Sequence, residues 1–336
     1  ILARDRYGMK PLYYAEGRRS VVFGSEIKSI VESGEVETRV SSSALSEYFT
    51  FQNILSDTTL FEGVRPLPAG HYLKMRLGDS ALPRPTRYWN FSFVEDRSMK
   101  RDEAVEELNR LFDQAVNRHL LSDVEVGSYL SGGMDSGSIV ALASRGHKNL
   151  KTFTCGFELS AASGLELNFD ERARAEALSN IYKTEQYEVV LKAGDMERIM
   201  PDLIWHLEDP RVGQSYPNFY ISRLASKFVK VALSGTGGDE MFAGYPWRYY
   251  AALPSGEGGG SFMDRSYSHW QRLVPDALKQ SFVRPEVYGT LPAGHERAVF
   301  EINVQVLAVL HALDDAVGRR ARGLRKVQGD EARAAR

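Results

Sequence analysis

The hydrophobic pattern of this chain changes character between residues 83 and 97. Before that point, short apolar runs alternate with glycine, proline and polar residues, and this spacing predicts antiparallel strands with two short helices. The predicted elements are strands at 12–15, 21–23 and 71–75, helices at 25–31 and 43–51, and loops at 16–19 and 63–70. Residues 1–93 therefore form a predicted α+β layer, and the prolines at 83 and 85 predict a linker after it.

Helical and strand patterns alternate beyond residue 97. Val105, Leu108, Phe112 and Val116 recur at the spacing of one helix face. The alternation continues with strands at 124–130, 152–157, 187–191 and 229–233, and with helices around 139–143, at 170–182 and within 195–209 and 217–228. Such alternation predicts a mostly parallel sheet with helices on both faces, in which ligands bind at the carboxyl ends of the strands.

Composition limits the classes of function. The chain has 336 residues, enough for two domains, and 43% of them are hydrophobic. Forty-two basic residues balance 44 acidic ones, so no overall positive field attracts nucleic acid or an anionic membrane. Cys155 is the single cysteine, which predicts a reducing, cytoplasmic location. No apolar run approaches the roughly 20 residues that a membrane helix requires.

The junction that follows the strand at 124–130 predicts an anion site. It reads Ser131-Gly132-Gly133-Met134-Asp135-Ser136, which supplies two adjacent glycines, two hydroxyls and one carboxylate. A glycine-rich turn before a helix presents free backbone N–H groups and the positive end of the helix dipole, so it favours phosphate. The spacing is neither that of a Walker loop nor that of a dinucleotide fold.

A second glycine-rich turn follows the strand at 229–233. It reads Ser234-Gly235-Thr236-Gly237-Gly238-Asp239-Glu240. One carboxylate from each turn, Asp135 and Asp239, can share a Mg²⁺ ion whose remaining ligands are nucleotide oxygens. The two turns together therefore predict a site for a nucleotide and its metal ion.

The first turn resembles the pyrophosphate loop of ATP pyrophosphatases, and the pair of turns resembles the synthetase domain of glutamine-dependent asparagine synthetases. Residues 2–14, 23–28 and 67–72 are similar to the later part of that family's glutaminase domain. The resemblance implies three regions: the end of an Ntn-type glutaminase domain at 1–93, an ATP pyrophosphatase domain of the adenine-nucleotide α-hydrolase type at 97–320, and a disordered tail at 321–336.

The resemblance also implies a two-step reaction. ATP adenylates the side-chain carboxylate of aspartate and releases pyrophosphate; ammonia, from glutamine in the full-length protein, then displaces AMP to give asparagine. ATP and Mg²⁺ are the implied cofactors, and a homodimer is compatible with the resemblance. The resemblance also implies the site residues. Leu130 and Cys155 would lie beside adenine, and pyrophosphate would be held by Ser131, Gly132, Gly133, Asp135 and Ser136. Ser234 and Gly235 would contact the nucleotide or the intermediate, Asp135 and Asp239 would bind Mg²⁺, and Asp239 and Glu240 would act in catalysis.

Three departures from the family leave alternatives open. At Thr236 the family carries an acidic residue that accepts a proton from ammonium, which threonine cannot do near neutral pH. Either Glu240 takes this role, or the nucleophile or the substrate differs. The family's N-terminal cysteine, the nucleophile of glutamine hydrolysis, has no counterpart in this sequence, so the chain as given is not expected to hydrolyse glutamine. The family's phosphate-stabilising lysine also has no identified counterpart. The alternatives are a relative that adenylates another carboxylate and a chain that binds nucleotide without activity.

Two acidic segments allow a structural and a functional interpretation. Asp170 fits either the N-cap of the helix that follows it or a position facing the site. Glu208 and Asp209 fit either a position near the substrate or a helix end before Pro210.

Overall fold

The computed structural model describes residues 1–18, 20–76, 78–79, 82–92, 94, 96, 98–158, 160, 170–209, 215–242, 244–251, 261–291 and 293–306. The strands are β1 (Leu2–Ala3), β2 (Tyr13–Glu16), β3 (Val21–Gly24), β4 (Val64–Pro66), β5 (His71–Leu73), β6 (Thr86–Arg87), β7 (Val126–Tyr129), β8 (Lys151–Phe157), β9 (Glu185–Leu191) and β10 (Val231–Leu233). The helices are α1 (Ile27–Val31), α2 (Ser42–Phe51), α3 (Arg101–His119), α4 (Met134–Gly146), α5 (Arg172–Tyr182), α6 (Asp195–Leu207), α7 (Ser215–Ala225), α8 (Gly238–Phe242), α9 (Pro246–Tyr250), α10 (Phe262–Trp270), α11 (Asp276–Phe282), α12 (Pro285–Tyr288) and α13 (His295–Val306). None of these helices is long and apolar enough to cross a membrane.

Packing divides the chain into two compact units. The first contains residues 1–95 together with those from 248 onward, and the second contains residues 96–247. The predicted domain boundaries at 93, 97 and 320 follow sequence resemblance rather than packing, and they stay a prediction. The predicted tail at 321–336 lies outside the described residues.

Two small antiparallel sheets form the framework of the first unit. β2 lies between β3 and β4, and β5 lies between β1 and β6. The predicted strands at 12–15, 21–23 and 71–75 are confirmed with small shifts of their ends. The predicted helices at 25–31 and 43–51 correspond to α1 and α2, and α2 begins where the hydroxyl of Ser41 accepts the N–H of Ala44 at 3.3 Å.

Two short strands lie where the sequence predicts irregular structure. β4 lies inside the predicted loop at 63–70, and β6 lies inside the predicted linker. Pro66 is tolerated because β4 is an edge strand that pairs only with β2, so the missing N–H costs no ladder bond. β6 is a two-residue edge strand of exposed Thr86 and Arg87, too short and too polar to produce an alternating pattern.

A buried carboxylate links α2 to the segment that follows it and to α13 within the first unit. Glu47 is 0% exposed, and its carboxylate accepts N–H bonds from Leu55 at 2.8 Å and Ser56 at 2.9 Å. It also accepts the Ser56 hydroxyl at 2.7 Å and contacts the Nε2 atom of His295 in α13 at 2.8 Å. Every oxygen of this carboxylate thus has a partner, which offsets the cost of its burial.

We expect Glu47→Ala to lower the free energy of unfolding by about 3 kcal/mol, because it leaves buried N–H groups without an acceptor. The matched control is Glu37→Ala, which removes an exposed ion pair with Arg39 and should cost less than about 1 kcal/mol. Urea unfolding of both variants measures the difference. Equal losses would show that the buried bonds around Glu47 do not stabilise the unit.

The second unit is built on a four-stranded parallel sheet in the order β10–β7–β8–β9. On one face, Val126 and Leu130 pack with apolar residues of α3, α4 and α5. On the other face, Phe153 packs with Ala225 of α7 and with Val229. The predicted parallel sheet with helices on both faces is therefore confirmed.

The last strand of this sheet begins later than predicted. The sequence predicts a strand at 229–233, but the N–H of Val229 still donates to the carbonyl of Ala225 at 2.9 Å. The helical turn therefore continues to Val229, and β10 starts at Val231. Since β10 and β7 are parallel neighbours, with Leu233 opposite Ser128, the two glycine-rich turns leave the same edge of the sheet side by side.

Candidate functional site

A cavity of about 880 Å³ lies at the carboxyl ends of β7, β8 and β10. This is the edge at which parallel sheets bind ligands, and the volume falls in the range of small-molecule sites. The lining residues are Tyr129, Leu130, Ser131, Phe153, Thr154, Cys155, Phe157, Glu171, Tyr216, Pro217, Asn218, Ile221, Ser222, Ser234 and Thr236. Four predicted site residues, Leu130, Ser131, Cys155 and Ser234, are among them.

The first glycine-rich turn is held in shape by its own hydroxyls. The Oγ atoms of Ser131 and Ser136 are 3.0 Å apart, and the N–H of Ser131 donates to Oγ of Ser136 at 3.1 Å. The N–H of Gly133 donates to Oγ of Ser131 at 3.2 Å. These bonds fix the shape of the turn, and rotation of either hydroxyl can redirect a hydrogen bond toward a phosphate oxygen.

Position 132 requires glycine because of both its backbone conformation and the atoms that surround it. Its φ of +77° lies in the left-handed region that residues with a side chain rarely adopt. A Cβ at this position would also overlap the Cβ of Arg174 and lie 3.0 Å from the backbone N of Ala175. The first turn of α5 therefore packs directly on the glycine turn.

The second turn contacts the first through glycines. A Cβ added to Gly235 would lie 2.8 Å from the backbone N of Ser136 and 2.9 Å from the Cβ of Asp135. A Cβ added to Gly238 would overlap the Asp135 carboxylate. Without side chains at these positions, the amide end of α4 and the carboxylate of its first turn stay accessible between the two turns.

The carboxylates of the two turns are close enough to repel one another. Burial, then the charges of Asp239 and Glu240, raise the pKa of Asp135, and an N–H bond from Asp239 only partly offsets this. A cation would relieve the repulsion, and carboxylate oxygens are suitable ligands for Mg²⁺. Within the described ranges, no three His, Cys, Asp or Glu side chains are placed to hold a metal ion by themselves, so phosphate oxygens would complete the ligand set.

The other predicted residues border the cavity or lie beyond its lining. Asp135, Ser136 and Gly235 form the contact between the two turns, whereas Gly132 packs against the start of α5 and Gly133 donates its N–H within the first turn. Asp239 and Glu240 lie in the first turn of α8, where Glu240 is exposed and accepts the hydroxyl of Tyr245 at 3.3 Å. Glu240 is not among the described lining residues, and its predicted place in catalysis stays a prediction.

The two open acidic segments are resolved differently. Asp170 accepts the N–H of Arg172 at 3.1 Å and pairs with its guanidinium, so it orders the start of α5, but the N-cap is Glu171 and the N-cap interpretation of Asp170 is wrong by one residue. The next residue, Glu171, lines the cavity instead. Glu208 is the left-handed C-cap of α6, which supports the structural interpretation of that segment.

Sequence reasoning missed the cavity wall contributed by α7. Asn218 and Ser222 are one helical turn apart on the side of α7 that carries Ile221, which packs toward β8. Polar residues on a helix face that otherwise packs against a sheet indicate a cavity at that face. The sequence alone does not show which face of α7 packs against the sheet, so these residues could not be assigned to the site from the sequence.

Cys155 lines the cavity as an unreactive thiol. Burial, and to a lesser extent the charge of Asp170, raises its pKa to about 11. The thiol is therefore protonated throughout the physiological range, which agrees with its predicted place as a wall residue rather than a nucleophile.

We expect iodoacetamide to alkylate Cys155 at pH 8 about 100-fold more slowly than it alkylates glutathione. A raised thiol pKa means that the reactive thiolate is scarce below it, so the rate should rise about tenfold per pH unit toward pH 11. Mass spectrometry can follow this reaction because the chain has one cysteine. A rate that levels off below pH 9 would contradict the burial of the thiol.

Comparison with known proteins gives two matches to protein families. Residues 107–306 match the asparagine synthase family model, and residues 1–89 match that of a glutamine amidotransferase domain. The glutamine-hydrolysing asparagine synthetase 1 of Bacillus subtilis is 33% identical over 82% of this chain and 42% of the relative. Asparagine synthetase 3 of the same organism is 32% identical over 76% and 42%. The chain thus spans about two fifths of the length of these relatives.

Two further proteins are more distant. Amidase chyE of Penicillium rubens is 29% identical over 73% of this chain and 38% of the relative. The solved NH3-dependent NAD synthetase of Campylobacter jejuni aligns with 67% of this chain and 93% of its own at 14% identity, and a TM-score of 0.27 is too low to bear on fold or function. Since the asparagine synthase model covers more than half of the residues, this chain belongs to the asparagine synthase family.

Proposed function

We propose that this chain is the synthetase part of an ATP-dependent, AMP-forming amide ligase that converts aspartate to asparagine. The observation that carries the proposal is the contact between two glycine-rich turns beside the cavity, with Asp135 and Asp239 on either side of it. Family membership and the names of the relatives support the same reaction class. The cytoplasmic location and the homodimer stay predictions.

In the first step, the side-chain carboxylate of aspartate attacks the α-phosphorus of ATP. The bond from that phosphorus to the β-phosphate oxygen breaks, and pyrophosphate leaves. The turn amides and the hydroxyls of Ser131 and Ser136 hold the leaving group, which stabilises charge as it develops. Bound Mg²⁺, held by Asp135 and Asp239, would neutralise part of that charge.

In the second step, ammonia attacks the acyl carbon and the bond to AMP breaks. The attacking nitrogen must lose a proton, and Thr236 in the cavity wall cannot accept it. Glu240 is the predicted acceptor. Glu171 is a second carboxylate that lines the cavity, and burial raises its pKa above that of an ordinary glutamate.

Thr236 favours a second candidate function, in which the adenylated carboxylate is not that of aspartate. Its Oγ1 atom is 2.8 Å from Oγ of Ser234, so this wall of the cavity carries two hydroxyls and no charge. A neutral hydroxyl pair can accommodate a substrate or nucleophile different from the one that the family's acidic residue serves.

A pyrophosphate-release assay with ATP and Mg²⁺ tests both candidates. The assay compares aspartate with glutamate, succinate and β-alanine, each with ammonium and with glutamine as nitrogen donor. Aspartate-dependent release with asparagine as product is the expected result. Release with another acid alone would support the second candidate, and no release with any acid would contradict both.

A further inference from the structure

The cavity and its two turns carry more negative than positive charge. Asp135, Asp239 and Glu240 lie in the turns and Glu171 lies in the wall, whereas none of the described lining residues is lysine, arginine or histidine. A triphosphate tail would add about four negative charges, of which one Mg²⁺ ion offsets two. Binding that tail calls for a cationic side chain that the described part of the lining does not supply.

Arg172 is close to the cavity, but part of its guanidinium is bonded to the protein. Its Nε and Nη2 atoms donate to the Asp170 carboxylate at 2.6–3.1 Å, and Nη2 also donates to the carbonyl of Phe157 at 2.9 Å. These bonds fix the start of α5 to the end of β8. Two of its three guanidinium nitrogens are therefore committed to this contact, and its charge is paired with Asp170.

Arg174 lies on the same helix as Arg172 but does not share its hydrogen bonds. It is exposed, and within the described residues it makes no hydrogen bond or ion pair. Its Cβ is the atom that a side chain at Gly132 would overlap, so the residue stands directly against the phosphate-type turn. Helical side chains lean toward the N-terminus of their helix, and at that end of α5 Glu171 lines the cavity.

We propose that Arg174 is a phosphate-binding residue, whose guanidinium contacts the β- and γ-phosphates of ATP and the departing pyrophosphate. The inference rests on the proposed function, because it assumes a nucleotide at the two turns. An arginine fork suits phosphate because it can donate two parallel hydrogen bonds. Arg174 would then provide positive charge at the phosphates, the role that a lysine has in the family.

Calorimetric titration of the whole chain tests the assignment. The ligands are Mg²⁺–ATP, Mg²⁺–pyrophosphate and AMP, and the variants are Arg174→Ala, Arg174→Lys and Arg118→Ala. Arg118 is a matched control, since it is an exposed arginine on α3 and is not among the described lining residues. Thermal unfolding of each variant verifies that it is folded.

Arg174→Ala should weaken ATP and pyrophosphate binding about 10- to 100-fold and leave AMP binding unchanged, because AMP lacks the phosphates in question. Arg174→Lys should recover part of the loss, and Arg118→Ala should bind as the wild type does. Wild-type affinity of folded Arg174→Ala for ATP and pyrophosphate would overturn the assignment while leaving the proposed function intact. Absence of ATP binding by the wild-type chain would overturn the proposed function and this inference with it.

Discussion

Asp135→Asn is expected to reduce pyrophosphate release by about 10²- to 10³-fold, because it removes one of the two charges that, in the proposed function, would hold the metal ion against the triphosphate tail. The amide keeps the size of the side chain and can still accept the N–H of Asp239. The matched control is Asp202→Asn, which alters an exposed carboxylate on α6 outside the cavity lining.

The same substitution should not unfold the protein. In the folded state the pKa of Asp135 is raised, so without a cation the folded protein loses stability as the pH rises through the usual aspartate range and beyond. Asparagine does not ionise, and the variant should therefore be at least as stable as the wild type at pH 7 in the absence of Mg²⁺. Wild-type turnover by the variant, or its unfolding at pH 7, would contradict the role assigned to this carboxylate.

Gly132→Ala is expected to weaken ATP binding roughly 100-fold, the equivalent of losing about two charge-assisted hydrogen bonds. The new Cβ must occupy a left-handed backbone position and must also displace the first turn of α5 or the glycine turn itself. A displaced turn no longer aims its amides at the phosphates.

Gly194→Ala is the control that separates the effect of backbone strain at a positive φ from the effect of displacing the glycine turn. Gly194 has a similar positive φ, +84°, but a Cβ there would meet nothing within 4 Å. This variant should lose about 1 kcal/mol of stability and bind ATP as the wild type does. If titration shows equal losses of ATP affinity in both variants, the contact between Gly132 and α5 does not govern the site.

Much of the second unit could be predicted because its sequence pattern and its fold follow the same rules. A strand, a glycine turn and a helix in succession place amides at the carboxyl edge of a sheet, wherever the rest of the chain goes. The adjacency of the two turns could be expected from a parallel sheet, and the pairing of Leu233 with Ser128 shows it.

Features that depend on contacts between residues distant in the chain could not be predicted from the sequence. β4 and β6 exist because neighbouring strands offer them an edge, and their own residues carry no strand pattern. The position of Arg174 against Gly132 arises from the packing of α5 on a turn 42 residues earlier in the chain. Likewise, Glu171 rather than Asp170 lines the cavity because Asp170 is bonded to Arg172.

A crystal structure of the chain with Mn²⁺ and α,β-methylene ATP tests the proposed nucleotide site at the two glycine-rich turns most directly. In this analogue, the bond that the reaction would break cannot be cleaved. Anomalous scattering would locate the metal ion independently of the nucleotide. We expect one Mn²⁺ ion coordinated by Asp135, Asp239 and phosphate oxygens, with the tail of the analogue between the two glycine-rich turns. A triphosphate bound away from those turns, or a metal ion that touches neither carboxylate, would contradict the proposed site.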